Sequence, residues 1–371
     1  MVLTRSASAA AAAAAPASGP TGASSSDPKP ASYRYVTEEG VKHILAYRYS
    51  GSDASLLYNY AISPLAQKLV DCVLSPQLAP NAITIGGLSL VILSHICMLW
   101  YAPNMEEEAP RWVYANAGLS LLFYQILDVA DGKQARKTGN SSPLGLLFDH
   151  GCDALNVVIS ACTFASTIML GPTYWSLLLF LAPAMVFFMA TWEEYYTGTL
   201  ALPMVNGPNE GLFIMYSCYL GTAIAGPTFW TQPNVLIPGL QNNHVFALIT
   251  ATSALGQSVV AIRSLERKAK DGAAALLGLT PFVALIGLSA LWVLWSPSDV
   301  FTDHPRLLIW TVGLVFAKVG RRASGVSTHA PIGVVELFFV ISLAAYVHMI
   351  YFVITELATI LDIHVFKVKQ G

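Results

Sequence analysis

The sequence predicts an all-α polytopic integral membrane protein, a bundle of about nine transmembrane helices. Two observations carry that reading. Hydrophobic residues make up 54 % of the 371 residues and charged residues only 11 %, where an ordinary soluble chain carries about 25 % charged residues. The mean hydropathy is +0.55. The apolar residues also gather into runs near the roughly 20 residues that a helix needs to cross the hydrocarbon core. The charges collect between those runs.

Composition also excludes several classes. The net charge is −2, with no basic stripe interleaved with aromatics, so no nucleic-acid partner is expected. Zinc and Walker spacings are absent from the sequence. The five cysteines, Cys72, Cys97, Cys152, Cys162 and Cys218, are scattered, mostly inside apolar runs, and suggest small core residues rather than a disulfide framework.

Residues 1–32 are rich in Ala, Ser, Pro and Gly, with no acid before Asp27. The poly-Ala run is too weakly apolar for a signal-peptide core. A disordered tail is expected. The alternative is an organellar transit peptide, although Arg5 is the tail's single arginine. Residues 33–80 mix aromatic and basic side chains, and Leu56 to Leu74 suits an amphipathic helix lying along the membrane surface. Candidate spans follow at 82–101, 112–131, 145–171, 174–196, 211–230, 244–263, 273–295, 305–320 and 332–357. Trp100, Tyr101, Trp112, Trp230, Trp292 and Trp295 fall at span ends, as an interfacial belt requires.

Basic residues in the short loops set the orientation. Lys133, Arg136 and Lys137 follow the second span, Arg267, Lys268 and Lys270 the sixth, and Arg321 and Arg322 the eighth. These loops share one side, expected to be cytosolic. The opposite loops hold Glu106, Glu107, Glu108, Asp299 and Asp303, with Arg111 and Arg306.

On the cytosolic side the second and third spans meet around Asp128, Asp131, Asp149 and Asp153. Spacings of three and four put each pair on one helix face. Carboxylates at the mouth of an apolar segment are costly and need a partner. With no cysteine or histidine pair to provide soft ligands, the set selects a hard cation, Mg²⁺ or Mn²⁺. The interleaved Lys133 and Arg136 suit a metal-bound phosphate, with Arg136 on its free oxygens. Gly132, Ala135 and Gly145 leave room for a bulky ligand. Phosphoryl transfer on a metal-bridged pyrophosphate is the natural chemistry. An ion-conducting site would place its acids nearer the bilayer midplane.

The run Asp128-x2-Asp131-Gly132-x2-Ala135-Arg136-x8-Gly145-x3-Asp149-x3-Asp153 resembles the CDP-alcohol phosphotransferase signature at every fixed position. Pro80-Asn81-x-Ile83-Thr84, Ser142-Pro143-Leu144-Gly145, Phe148-Asp149-His150-Gly151-Cys152-Asp153 and Thr191-Trp192-Glu193 are similar to the eukaryotic choline/ethanolaminephosphotransferase branch. Asn206-Gly207-Pro208-x-Glu210-Gly211 is most similar to the plant and algal members. The resemblance covers roughly residues 40 to 367.

It implies a site with two metal ions on Asp128, Asp131, Asp149 and Asp153. The CDP-alcohol would lie against Asn81, Gly132, Ala135, Arg136 and Gly145. Asn81 also suits a helix N-cap after Pro80. The implied reaction moves phosphoethanolamine or phosphocholine from CDP-ethanolamine or CDP-choline to diacylglycerol and releases CMP. Donors of the CDP-diacylglycerol kind are the alternative. A catalytically impaired scaffold or a cation-binding transporter is the reading from another class. Residues 81–263 then form the catalytic helices. Residues 264–371 form C-terminal transmembrane helices that can serve a homodimer. The endoplasmic reticulum membrane, or the Golgi, is the implied location.

The general base is the open element. His150 and Asp153 are the two candidates, His150 being favoured in the eukaryotic branch. There a Glu normally follows the motif glycine, and here Leu146 stands in its place. Trp192, Glu193, Glu194 and Tyr195 are candidates for contact with the cationic head group. Glu210, His244, His348 and Glu336 suit structural or interfacial roles. The branch carries ten spans, and about one span's length is absent between Ala317-Lys318-Val319-Gly320 and Val335-Glu336-Leu337-Phe338. With nine spans Lys367 and Lys369 fall on the far side, against the charge pattern. A tenth, or a re-entrant last helix, would return them.

Overall fold

The computed structural model describes residue 45 and residues 50–268, 272–295, 300–319 and 332–368. The expected tail, most of residues 33–49, and Lys270, Arg321, Arg322, Lys369 and the joint at 320–331 lie outside these. Among the described residues the chain is helical apart from two three-residue strands, β1 (Gly51–Asp53) and β2 (Leu200–Leu202). These pair in parallel with Gly51 opposite Leu200 and Asp53 opposite Leu202.

A π-helical turn (Tyr58–Ile62) leads into α1 (Ser63–Cys72). Ile62, Ala66 and Val70 recur at a spacing of four, and that stripe packs on Ile126 and Ala130. This is the amphipathic segment expected from Leu56 to Leu74, in a shorter form. The long helices follow: α2 (Pro80–Tyr101), α3 (Arg111–Lys137), α4 (Pro143–Thr167) and α5 (Tyr174–Thr197). Pro80 and Pro143 open α2 and α4, where a fixed φ and a missing N–H cost nothing. Ser142 caps α4 by accepting from the Gly145 N–H at 3.1 Å. Gly198, in the left-handed region at φ 72°, ends α5.

A second π-helical turn (Gly207–Gly211) opens α6 (Leu212–Ala225), and α7 (Thr228–Thr231) is a single turn. The remaining helices are α8 (Asn242–Lys268), α9 (Gly272–Leu277), α10 (Thr280–Trp295), α11 (Val300–Asp303), α12 (Pro305–Val319) and α13 (Ile332–Leu361). Among the described residues, seven stretches are long and apolar enough to cross a membrane. The expected spans at 211–230 and 305–320 appear as shorter helices of 14 and 15 residues, which rise only about 21–23 Å.

The interior holds Leu121, Tyr124, Val158, Phe164, Phe180, Tyr219, Leu308 and Val312. Lipid tails are as apolar as these side chains, so close packing holds the helices together. Gly313 of α12 faces Val158 of α4 so closely that an added Cβ would lie 2.5 Å from Val158 Cγ2. Arg306 starts α12 at the far end of the bundle. Its Nε donates to Pro103 O at 2.8 Å, and its Nη2 donates to Ala102 O and to Ser166 Oγ. The cation therefore caps the carbonyl end of α2, as the helix dipole favours.

The sequence leaves the place of the chain after α13 open. In the simple nine-span alternation it lies at the far end, and a tenth span or a re-entrant last helix would return it. Asn81 Nδ2, at the start of α2, donates to Val365 O at 2.7 Å. Phe366 meets Phe148 edge-on at 6.0 Å. Residues 363–366 thus lie at the aspartate end. Packing of Leu144 on Val353 and Leu357 places α13 there, and Asp362 turns the chain with φ 51°.

Candidate active site

The site is built where the last turns of α3 meet the first turns of α4. Asp128 and Asp131 lie on α3 and Asp149 and Asp153 on α4. One carboxylate oxygen from each of Asp128, Asp149 and Asp153 lies within 4.8 Å of the others. Asp131, buried to 6 % exposure, accepts instead from the hydroxyl of Thr84 on α2. Asp153 Oδ1 accepts from Tyr124 Oη at 2.6 Å.

The oxygens Asp128 Oδ1 and Asp149 Oδ1 are buried with no hydrogen-bond partner among the described residues. Buried polar atoms are otherwise almost always satisfied. The one ion pair among the described residues joins Lys137 to Asp71 at 3.4 Å, on the surface. Among the described residues, neither orphaned oxygen therefore has a protein cation within ion-pair distance. Four carboxylates balance two divalent cations, and hard oxygen donors are what Mg²⁺ and Mn²⁺ prefer. The residues present fit that requirement.

The neighbours of the predicted nucleotide residues are polar and open. A Cβ on Gly132 would meet nothing nearer than the Arg136 guanidinium, at 3.6 Å. On Gly145 it would meet Ser142 Oγ at 3.5 Å and Asn81 Oδ1 at 3.8 Å. Arg136 is exposed. Gly132 with Arg136, and Gly145 with Asn81, thus form two neighbouring pairs. Ala135 is half-buried and its carbonyl accepts from the Asn140 N–H at 2.9 Å. His150 lies one turn before Asp153 on α4, half-buried.

The other candidates sort differently. Trp192 donates its indole N–H to Ala275 O at 2.9 Å, an α5–α9 contact. Tyr195 is 80 % exposed. His244 stacks on Trp175 at 4.6 Å and His348 lies 4.4 Å from Phe352. Glu210 accepts from Ser55 Oγ at 2.5 Å and from the Asn206 N–H at 3.0 Å, so it ties the Gly207–Gly211 turn to the chain just after β1, the two together forming a strap. The side chain of Glu336 lies outside the described residues.

That strap reaches the site through Gln125, one turn before Asp128. Gln125 Nε2 donates to Pro208 O at 3.2 Å and Asn209 O at 3.3 Å. Asn209 Nδ2 donates to Asp53 Oδ2 at 2.7 Å. Burial pushes the Asp53 carboxyl above its ordinary range and Glu210 adds repulsion. The Ser55 N–H and the amides of Asn209 and Asn206 oppose the shift without cancelling it.

Sequence reasoning missed two residues here, Thr84 and Tyr124. Thr84 lay inside a quoted motif without a role. Tyr124 sits four residues before Asp128, so helical spacing alone puts it on the aspartate face.

Such a site, at one end of an apolar helical bundle, defines a membrane-protein fold with a buried carboxylate cluster able to hold a metal ion. The CDP-alcohol phosphatidyltransferase family model matches residues 77–232. Choline/ethanolaminephosphotransferase 2 of Arabidopsis thaliana is 36 % identical over 305 residues, 77 % of each chain. Choline/ethanolaminephosphotransferase 1 of Saccharomyces cerevisiae is 31 % identical over 310 residues, again 77 % of each. Ethanolaminephosphotransferase 1 of Mus musculus is 31 % identical, covering 78 % of this chain and 76 % of its own length. The chain belongs to the CDP-alcohol phosphatidyltransferase family.

Proposed function

We propose that the protein transfers phosphoethanolamine or phosphocholine from CDP-ethanolamine or CDP-choline to diacylglycerol, releasing CMP and forming the corresponding phospholipid. The observation that carries this reading is the meeting of Asp128, Asp149 and Asp153, with two orphaned buried oxygens, at one end of a lipid-embedded bundle. The names of its relatives supply the donor class.

Asp128, Asp131, Asp149 and Asp153 would hold two Mg²⁺ or Mn²⁺ ions. Bound there, the metal neutralises the donor's pyrophosphate and polarises its β-phosphorus. Arg136, exposed beside Gly132, grips the non-bridging oxygens. Gly132 and Gly145 keep space open for the nucleotide, with Asn81 at its edge. The diacylglycerol hydroxyl, arriving from the bilayer, attacks the β-phosphorus. A new O–P bond forms, the bond to the CMP oxygen breaks, and CMP carries away that electron pair. His150 takes the hydroxyl proton. One oxygen of Asp153 is already engaged by Tyr124, which favours His150 over Asp153 for that task. The family resemblance supports an endoplasmic reticulum location with the site facing the cytosol.

Microsomes expressing the chain test this with labelled CDP-ethanolamine and CDP-choline, diacylglycerol, and Mg²⁺ or Mn²⁺. Metal-dependent CMP release with phospholipid formation is expected, and a chelator abolishes it. Turnover only with CDP-diacylglycerol plus a soluble alcohol would overturn the reading.

A further inference from the structure

We propose that Tyr124 is a positioning residue for the metal centre, acting through Asp153; this rests on the metal reading of the four aspartates. Tyr124 is buried to 2 % exposure. It lies on α3, four residues before Asp128, and its hydroxyl donates to Asp153 Oδ1 on α4 at 2.6 Å. The bond therefore crosses between the two helices that carry the motif.

The ring is held from a third side. A Cβ on Gly87 of α2 would sit 3.4 Å from Tyr124 Cδ2, ordinary van der Waals contact, so α2 presents a flat backbone surface to the phenol. A buried Tyr needs a partner for its hydroxyl, and a backbone carbonyl would have sufficed. Here the partner is a carboxylate, which makes the bond charge-assisted and directional. It engages one oxygen of Asp153, a carboxylate that meets those of Asp128 and Asp149.

The contrast with its neighbours carries the inference. Asp128 and Asp149 each leave a buried oxygen without a partner among the described residues, as ligands awaiting a cation do. Among the described residues, Asp153 is the member of the trio with a hydrogen bond from an outside side chain, Tyr124. Hydrogen bonds of this kind fix a ligand's geometry, and removing them typically weakens metal binding about 10–100-fold. Tyr124→Phe keeps the ring and its packing while freeing the Asp153 carboxylate to rotate.

The experiment uses the full chain purified in detergent, with Mn²⁺ binding read from the EPR signal of the free ion. Wild type, Tyr124→Phe, Asp153→Asn and the double variant are compared. Metal-free melting of each protein checks that it is folded. Tyr124→Phe is expected to weaken Mn²⁺ binding about tenfold or more, and to add nothing further once Asp153 is Asn. Wild-type Mn²⁺ affinity in Tyr124→Phe would overturn the proposal. So would losses that simply add in the double variant, because they would mean a packing role independent of Asp153. Absence of Mn²⁺ binding by the wild type would instead remove the metal reading, and this inference with it.

Discussion

Asn81 Nδ2 donates to Val365 O at 2.7 Å, joining the first turn of α2 to the chain beyond the last helix. Together with the packing of Leu144 on Val353 and Leu357, that bond marks which end of the bundle the C-terminal segment occupies. It also gives Asn81 two neighbours of consequence, Val365 and Gly145.

Placement of that segment is testable by labelling. In a cysteine-depleted background, Lys367→Cys should react from the same membrane side as Ser141→Cys, beside the aspartate end. Glu108→Cys should react from the opposite side. Lys367→Cys labelling together with Glu108→Cys would contradict the Asn81–Val365 contact.

The orphaned oxygens of Asp128 and Asp149 imply an unusual sign for mutational stability. A buried acceptor without a partner costs about 1–3 kcal/mol. Asp128→Asn should therefore leave the metal-free protein as stable as wild type, or raise its stability by up to that amount. The stabilisation that Mn²⁺ confers on wild type should disappear. Melting curves with and without Mn²⁺ read both.

His150→Ala should abolish transfer while leaving CDP-alcohol binding intact, since the ring is assigned only the diacylglycerol proton. Positioned acid–base groups typically contribute about 10²–10⁴-fold in rate. Turnover and equilibrium binding of CDP-ethanolamine separate the two effects. Near-normal turnover would reassign the proton to Asp153.

The strap at β1 should respond to pH. The Asp53 carboxyl is raised in the folded state by burial and by Glu210, so the folded form holds its proton more tightly than the unfolded form. Its contribution is fully present below the ordinary aspartate range and is lost as pH rises through the raised value. Amide exchange of Ser52–Ala54, corrected for intrinsic rate, should be slower at the acid end of that window. Asp53→Asn should flatten the dependence.

The α4–α12 crossing should tolerate no side chain at Gly313. A Cβ there would lie 2.5 Å from Val158 Cγ2, nearer than packed carbons approach. Gly313→Ala should destabilise the bundle by about 1–3 kcal/mol, the usual cost of overpacking. Adding Val158→Ala should restore most of it, because the obstructing methyls are then gone.

The sequence by itself determined the membrane class, seven of the nine expected spans as long apolar helices, and the four aspartates. Each is a local property: run length against bilayer thickness, and carboxylates three or four apart on a helix. Only the tertiary structure decided that Thr84 holds Asp131 and Tyr124 holds Asp153, that Glu210 ties the Gly207–Gly211 turn to the chain just after β1, that Arg306 caps α2, and that residues 363–366 return to the aspartate end. Each of these joins side chains on different elements, most of them far apart in the chain. No spacing rule reaches across such gaps, because the angle at which two helices cross, and so which faces meet, is set by how their side chains interlock.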